Sequence, residues 1–270
     1  MSIEIGKIYQ ENCIETLARM PDDWLDMMIT SPPYDDLRDY NGYHFPVEEI
    51  AAGLFAKTKP GGVVIWVVGD RTVGGNETLS SFRHAITFQD AGFRVHDTMI
   101  YAKNNPIPSD CGKRYRQCFE YMFCFSKGQP KTFNPLTEPT KSAGQKIKAF
   151  RITEVGRGNL PDEDIGREIK TQRKVGNIFY YNVGTSSSRD RIAFEHPAIF
   201  PEQLCEDQIR TWTNEGDLVY DCFMGSGTTA KTAHLLDREW LGSEISAEYV
   251  ALAERRVAIY QRELKVASIK

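Results

Sequence analysis

The spacing of apolar residues changes along the chain in a regular way and marks out alternating helices and strands. Cys13 to Met20 carries apolar side chains at helical spacing, and Leu25 to Thr30 is a short apolar run that stops at Ser31-Pro32-Pro33-Tyr34. A second helical stretch, Val47 to Lys57, leads through Lys59-Pro60-Gly61-Gly62, read as a turn, into Val63 to Val68. That run has no polar interruption, as a strand buried on both faces requires. Ser80 to Ala91 predicts a helix, Phe93 to Tyr101 the strand after it, and Phe119 to Phe125 an aromatic-rich strand pairing nearby. Near the C-terminus the same alternation returns: helix Pro201 to Trp212, strand Asp217 to Asp221, glycine-containing loop Cys222 to Gly227, helix Thr228 to Asp237, strand Trp240 to Ile245 and closing helix Ala247 to Leu264. Strands alternating with helices predict an α/β fold built on a mostly parallel sheet.

Between Gly128 and Arg191 the periodicity fades, and Ile178 to Tyr181 is the one strand it suggests. Charge separates this stretch from the rest. Residues 131–191 hold twelve Lys and Arg against seven Asp and Glu, an excess of five, in a chain whose net charge is −4. An inserted lobe suited to phosphates is expected there. It divides the protein into 1–127, the lobe 128–191, and 192–270, the outer two parts sharing one domain. With 270 residues, 41% of them hydrophobic, one large domain with a lobe is favoured over two independent domains. The polar N-terminus and the shortness of every apolar run, far below the roughly 20 residues of a membrane span, predict a soluble cytoplasmic protein. Cys13, Cys111, Cys118, Cys124, Cys205 and Cys222 form no C-x-x-C pair, so neither a metal site nor a disulfide framework is expected.

Two loops carry candidate chemistry. The first, Ser31-Pro32-Pro33-Tyr34, follows a buried strand; its prolines fix two φ angles and remove two backbone donors, leaving a rigid array of carbonyl acceptors. Such an array suits an amino group. The Ser31 hydroxyl and the Pro32 carbonyl could accept the two hydrogens of an exocyclic base amine and localise its lone pair, while Tyr34 stacks on the ring. A duplex base reaches such a pocket only by leaving the helix. The second loop, Asp221-Cys222-Phe223-Met224-Gly225-Ser226-Gly227-Thr228-Thr229, lies between a strand and a helix, where glycines let a nucleotide-like cofactor approach the backbone. Glu244, at the end of the next strand, can accept bonds from ribose hydroxyls. By itself the glycine pattern leaves NAD, FAD and S-adenosylmethionine open. Fewer than 45 residues follow it, however, which leaves no second half-sheet for a dinucleotide.

Together the two motifs resemble the amino-methyltransferases of DNA, and their order, catalytic loop first and cofactor loop last, is similar to the beta class. The likeness also takes in Tyr9 to Cys13, Lys59 to Gly62, Lys103-Asn104-Asn105 with Pro108, Arg116 to Lys127, and His196-Pro197 with Phe200-Pro201. It implies a Rossmann-like sheet of seven mostly parallel strands with an inserted target-recognition lobe. S-adenosylmethionine is the implied cofactor, leaving as S-adenosylhomocysteine, with no metal. The implied catalytic residues are Ser31, Pro32, Pro33 and Tyr34. The implied cofactor residues are Asn12 and Cys13 at the adenine, Glu244 at the ribose, His196, Phe200, Pro201, Phe223, Gly225, Ser226, Gly227 and Thr228 around the methionine end, and Asp221 and Thr229. Family members often have Gly-Asp-Cys where this chain has Glu11-Asn12-Cys13, and a proline is more usual beside Phe223 than Cys222 or Met224. Serine before Pro-Pro favours cytosine N4 as target, with adenine N6 as the alternative. Double-stranded DNA is the implied partner, in the cytoplasm or nucleoid of a bacterium or from a phage, with room left for a homodimer and for a restriction endonuclease acting on the same site. An NAD- or FAD-dependent oxidoreductase gives no purpose to Ser31-Pro32-Pro33-Tyr34. RNA methyltransferases usually carry the two motifs in the opposite order.

Overall fold

The computed structural model describes residues 3–33, 45–106, 112–146, 150–153, 156–159, 168–196 and 199–267. It divides into two compact units, one formed by Met1–Asn134 with Asn177–Lys270 and the other by Pro135–Gly176.

The larger unit starts with β1 (Ile8–Gln10) and α1 (Cys13–Arg19), whose N-terminus Asn12 caps by accepting the Ile14 N–H. Then come β2 (Leu25–Thr30), α2 (Val47–Lys57) and the long β3 (Thr58–Val68). A short hairpin, β4 (Thr72–Val73) and β5 (Asn76–Glu77), precedes α3 (Ser80–Asp90), β6 (Arg94–Lys103) and β7 (Phe119–Ser126). The smaller unit holds β8 (Thr137–Pro139) paired with β11 (Gln172–Lys174), and β9 (Phe150–Thr153) paired with β10 (Gly156–Asn159), both antiparallel. The chain returns through β12 (Ile178–Tyr181), α4 (Glu202–Trp212), β13 (Leu218–Asp221), α5 (Thr228–Leu235), β14 (Glu239–Glu244) and α6 (Ala247–Ala267).

Eight strands form the main sheet in the order β1-β14-β13-β2-β3-β7-β6-β12. Only β7 runs against the others, pairing antiparallel with both β3 and β6. The expectation of seven strands is one short because Ile178–Tyr181, read as part of the lobe, adds in parallel to β6 at the sheet edge. Lys59 to Gly62 also differs from expectation. Instead of a turn before the strand it is an irregularity within it: Leu25 pairs with Thr58 and Met27 with Val63, so several β3 residues are looped out against one of β2.

Successive β3 residues point to opposite faces, and both faces are covered. Val63, Ile65 and Val67 pack with Leu204, Cys205 and Ile209 of α4 and Ala230 and Ala233 of α5. Val64, Trp66 and Val68 pack with Leu17 of α1, Ile50 and Leu54 of α2 and Phe88 of α3. Each fully buried Val, Leu or Ile side chain among these contributes about 1.5–3 kcal/mol. This three-layer arrangement explains why the apolar run of β3 shows no alternation. Among the described residues no helix is long and apolar enough to cross a membrane.

Candidate active site

In the sheet order β13 lies beside β2, and from that pair the chain winds outward in opposite directions, to β14 and β1 on one side and to β3 on the other. The crevice at the carboxyl ends of strands at such a switch point is where open α/β sheets bind ligands. Ser31, Pro32 and Pro33 leave the end of β2 there, and Cys222 to Gly227 leave the end of β13. The two loops far apart in sequence are thus neighbours. Tyr34 lies outside the described residues, as does Pro197.

Asp221 joins the two loops. Its Oδ1 accepts from the Thr30 hydroxyl at 2.6 Å and from the Phe223 N–H at 3.0 Å, and its Oδ2 from the Thr229 hydroxyl at 2.6 Å. The carboxyl is buried, and burial pushes its pKa up to about 6 although all three donors and their hydrogen bonds pull it down. A side chain so enclosed acts through the groups it holds. Thr30 was not singled out in the sequence, where a threonine ending a strand gives no sign of a partner 191 residues away.

The glycine loop turns back on the sheet, with the Met224 N–H donating to the Ser243 carbonyl at 2.9 Å and the Gly227 N–H to the Met224 carbonyl at 2.9 Å. Gly227 sits at φ +79° at the N-terminus of α5, and a Cβ on it would lie 2.8 Å from that of Ala253. Only glycine fits there. At Gly225 a Cβ would come within 3.3 Å of His196 Nε2, so the imidazole lies over the loop backbone; its ring also meets that of Tyr249 at 4.2 Å. Phe200 packs partly buried against the core and buried Pro201 starts α4. Ser226 of the loop and Thr228 and Thr229 at the start of α5 are buried.

On the far side of the loop Glu244 ends β14, level with Gln10 of β1. Its two carboxylate oxygens accept the Gly225 and Ser246 N–H groups, each at 2.9 Å, which fixes the carboxylate while leaving each oxygen further lone-pair capacity. Asn12 follows β1, with its side-chain oxygen engaged in capping α1. The Cys13 side chain is buried and within hydrogen-bond reach of the Cys222 thiol, so it faces the core.

Phe223 is joined by an aromatic wall that the residue spacing does not indicate. The Phe223 ring lies tilted 5.6 Å from that of Phe45 and edge-on 6.2 Å from that of Trp66, and Trp66 Nε1 donates to Nδ1 of buried His84 at 3.1 Å. Phe45 and His84 rings lie 5.8 Å apart. Trp66 lies within the buried strand that the sequence indicates, but nothing in the spacing joins it to α3. Among the described residues no cluster of His, Cys, Asp or Glu side chains is placed to hold a metal ion.

A glycine loop under an imidazole, a fixed carboxylate at the next strand end and an amide beyond it thus follow one another along the crevice. The family model described as DNA methylase matches residues 25–255. The chain is 50% identical over 240 residues to the orphan methyltransferase M.BamHII of Bacillus amyloliquefaciens, a match covering 87% of this chain and 89% of that protein. It is 27% identical over 260 residues to the type II methyltransferase M.BglII of Bacillus subtilis, covering 92% of this chain and 68% of that one. Two solved structures share the fold. The PvuII DNA methyltransferase described as cytosine-N4-specific has a TM-score of 0.68 at 23% identity, over 93% of this chain and 88% of its own. The M1.HpyAVI–SAM complex has a TM-score of 0.63 at 23% identity, over 93% and 98%.

Proposed function

Since the chain belongs to the DNA methylase family, as a beta-class amino-methyltransferase, we propose that it transfers a methyl group from S-adenosylmethionine to the N4 amine of a cytosine flipped out of duplex DNA. The observation that carries this reading is the Thr30–Asp221–Thr229 junction, which ties the Ser31-Pro32-Pro33 loop to the glycine loop across the switch point. A rigid acceptor array and a cofactor cradle then serve one reaction.

When bound, S-adenosylmethionine supplies a sulfonium-activated methyl group, so the chain needs no metal and no titrating nucleophile. Glu244 holds the ribose hydroxyls. His196 and residues 223–228 hold the methionine end, and Asn12 meets the adenine through its amide nitrogen, since its oxygen caps α1. Phe200 and Pro201 shape the wall beside His196. Ser31 and the Pro32 carbonyl accept the hydrogens of the target amine, which keeps its lone pair out of the ring and aimed at the methyl group; Pro33 stiffens the loop and Tyr34 stacks on the base. The amine becomes cationic on methylation, and its surplus proton passes to solvent water by way of the Ser31 hydroxyl, which takes one proton and gives up its own, leaving a neutral methylamine.

Residues 128–191, with their excess of five basic side chains, supply phosphate contacts and base-edge readers. Ser31 supports cytosine over adenine, and so does the fold shared with an enzyme described as cytosine-N4-specific. The half-identical relative is described as an orphan methyltransferase, which supports action without a cognate restriction endonuclease. The test is incubation of the purified protein with unmethylated duplex DNA and S-adenosylmethionine labelled in the methyl group. Label should enter the DNA and should fail to enter RNA; the absence of label in any duplex offered refutes the reading.

A further inference from the structure

Arg256 is fully buried on α6, one residue past the family match, and belongs to none of the motifs described above. One edge of its guanidinium faces the glycine loop. Nη1 donates to the Ser226 carbonyl at 3.0 Å, the Ser226 hydroxyl at 3.3 Å and the Thr228 hydroxyl at 2.9 Å. The other edge faces the segment that leads to His196 and into α4. There Nε donates to the Asp190 carboxylate at 3.2 Å, while Nη2 meets Glu202 Oε1 at 2.5 Å and the Ser188 hydroxyl at 3.3 Å. One planar group with its donors in a fixed fork therefore spans both walls of the cradle.

Its charge is balanced locally. Lys231 Nζ contacts Asp190 at 2.5 Å and Glu202 at 2.7 Å, so two cations face two carboxylates, and the Tyr260 hydroxyl donates to Asp190 at 3.0 Å. Burial by itself would raise both carboxyls, but the Lys231 contact, with Arg256 beside Asp190 and the Ser188 hydroxyl on Glu202, holds both below their ordinary values. A buried ion cluster is weak evidence for stability, since well-packed apolar residues often do as well. Apolar residues could not, however, bond the Ser226 carbonyl. Lys231 provides a contrast, because its side chain bonds the same two carboxylates and stacks 4.4 Å over Tyr260, while Arg256 reaches the loop as well.

We propose that Arg256 is a positioning residue for the cofactor: it sets the spacing between the glycine loop and the His196 segment and acts on bound S-adenosylmethionine through Ser226 and Thr228. The proposal rests on the reading of the crevice as the S-adenosylmethionine site. A lysine in its place keeps the charge but cannot face both walls at once.

Calorimetric titration of S-adenosylmethionine into the wild type, Arg256→Lys and Lys231→Met, each checked for native circular dichroism and melting temperature, tests it. Arg256→Lys should bind about tenfold more weakly or worse, whereas Lys231→Met should stay within about threefold of wild type even where its melting temperature falls as far. Equal affinity in wild type and Arg256→Lys overturns the proposal, and so do equal losses in both variants, which would mean that the cluster serves stability alone. Should Arg256→Lys not fold, Glu202→Gln takes its place; it keeps both cations and weakens the far anchor of the guanidinium, so an unchanged affinity overturns the proposal equally. A wild type that binds no S-adenosylmethionine overturns the functional reading itself, and this proposal with it.

Discussion

Replacing Asp221 by asparagine separates the charge of this carboxyl from its shape. Burial raises the carboxyl from 3.8 to about 6, against the pull of hydrogen bonds from Thr229, Thr30 and the Phe223 N–H, and with a smaller push from Glu244. A rise of about two units corresponds to about 3 kcal/mol of folding free energy. Because the folded value lies above the unfolded one, the stability contributed by the neutral acid is fully present below the unfolded value and is lost as pH rises through about 6. At neutral pH the wild type therefore keeps an ionised, buried carboxylate that asparagine would not. The amide oxygen of asparagine can still accept from Thr30 and Phe223, and its nitrogen can donate to the Thr229 oxygen, so the junction survives. Of the total, about 1.4 kcal/mol falls between about pH 5 and about pH 7.5. Urea unfolding of both proteins at those two pH values should show the stability difference moving by that amount in favour of Asp221→Asn at the higher pH. Parallel profiles, or a wild type that gains on the variant as pH rises, would refute the reasoning.

Gly227→Ala combines a left-handed backbone with a 2.8 Å approach to the Ala253 Cβ, and should cost about 2 kcal/mol or more; an unchanged melting temperature would contradict the close packing of loop on α6. Glu244→Ala removes the acceptor of two backbone N–H groups as well as the proposed ribose contact, and should weaken S-adenosylmethionine binding by about tenfold or more in calorimetry. Ser31→Ala and Tyr34→Ala should each lower turnover by about tenfold to a hundredfold while leaving cofactor affinity within about twofold; wild-type turnover in either variant would remove that residue from the pocket.

Much of the fold was legible because the chain's periodicity is clean where both faces of the sheet are covered. Leu25–Thr30, Val47–Lys57 and Ile178–Tyr181 have the limits that the spacing indicates. What spacing cannot carry is the identity of a strand's neighbour. Ile178–Tyr181 reads as a strand, yet its pairing with β6 depends on a return of the chain across the whole smaller unit. Lys59 to Gly62 has the composition of a turn, and only the register between β2 and β3 reveals that the strand continues through it. Within the site, the glycine loop and Glu244 were recognisable because each needs a particular residue type at a particular strand end. Thr30 and His84 were not, since their roles exist only through distant partners. Arg256 could have been suspected: Leu252, Ala253 and Val257 are buried on one stripe of α6, and Arg256 falls on the same stripe, whereas Arg255 is exposed beside Glu195. A charged residue on an apolar stripe is the sequence signal of a buried partner.

The central claim, that the two loops joined by Asp221 methylate a base amine, is tested most directly by the identity of the product. DNA modified by the protein with S-adenosylmethionine, digested to nucleosides and analysed by mass spectrometry, should yield N4-methylcytosine. N6-methyladenine would contradict the reading of Ser31 while keeping amine chemistry, and a methyl group on a ring carbon, or none at all, would contradict the account.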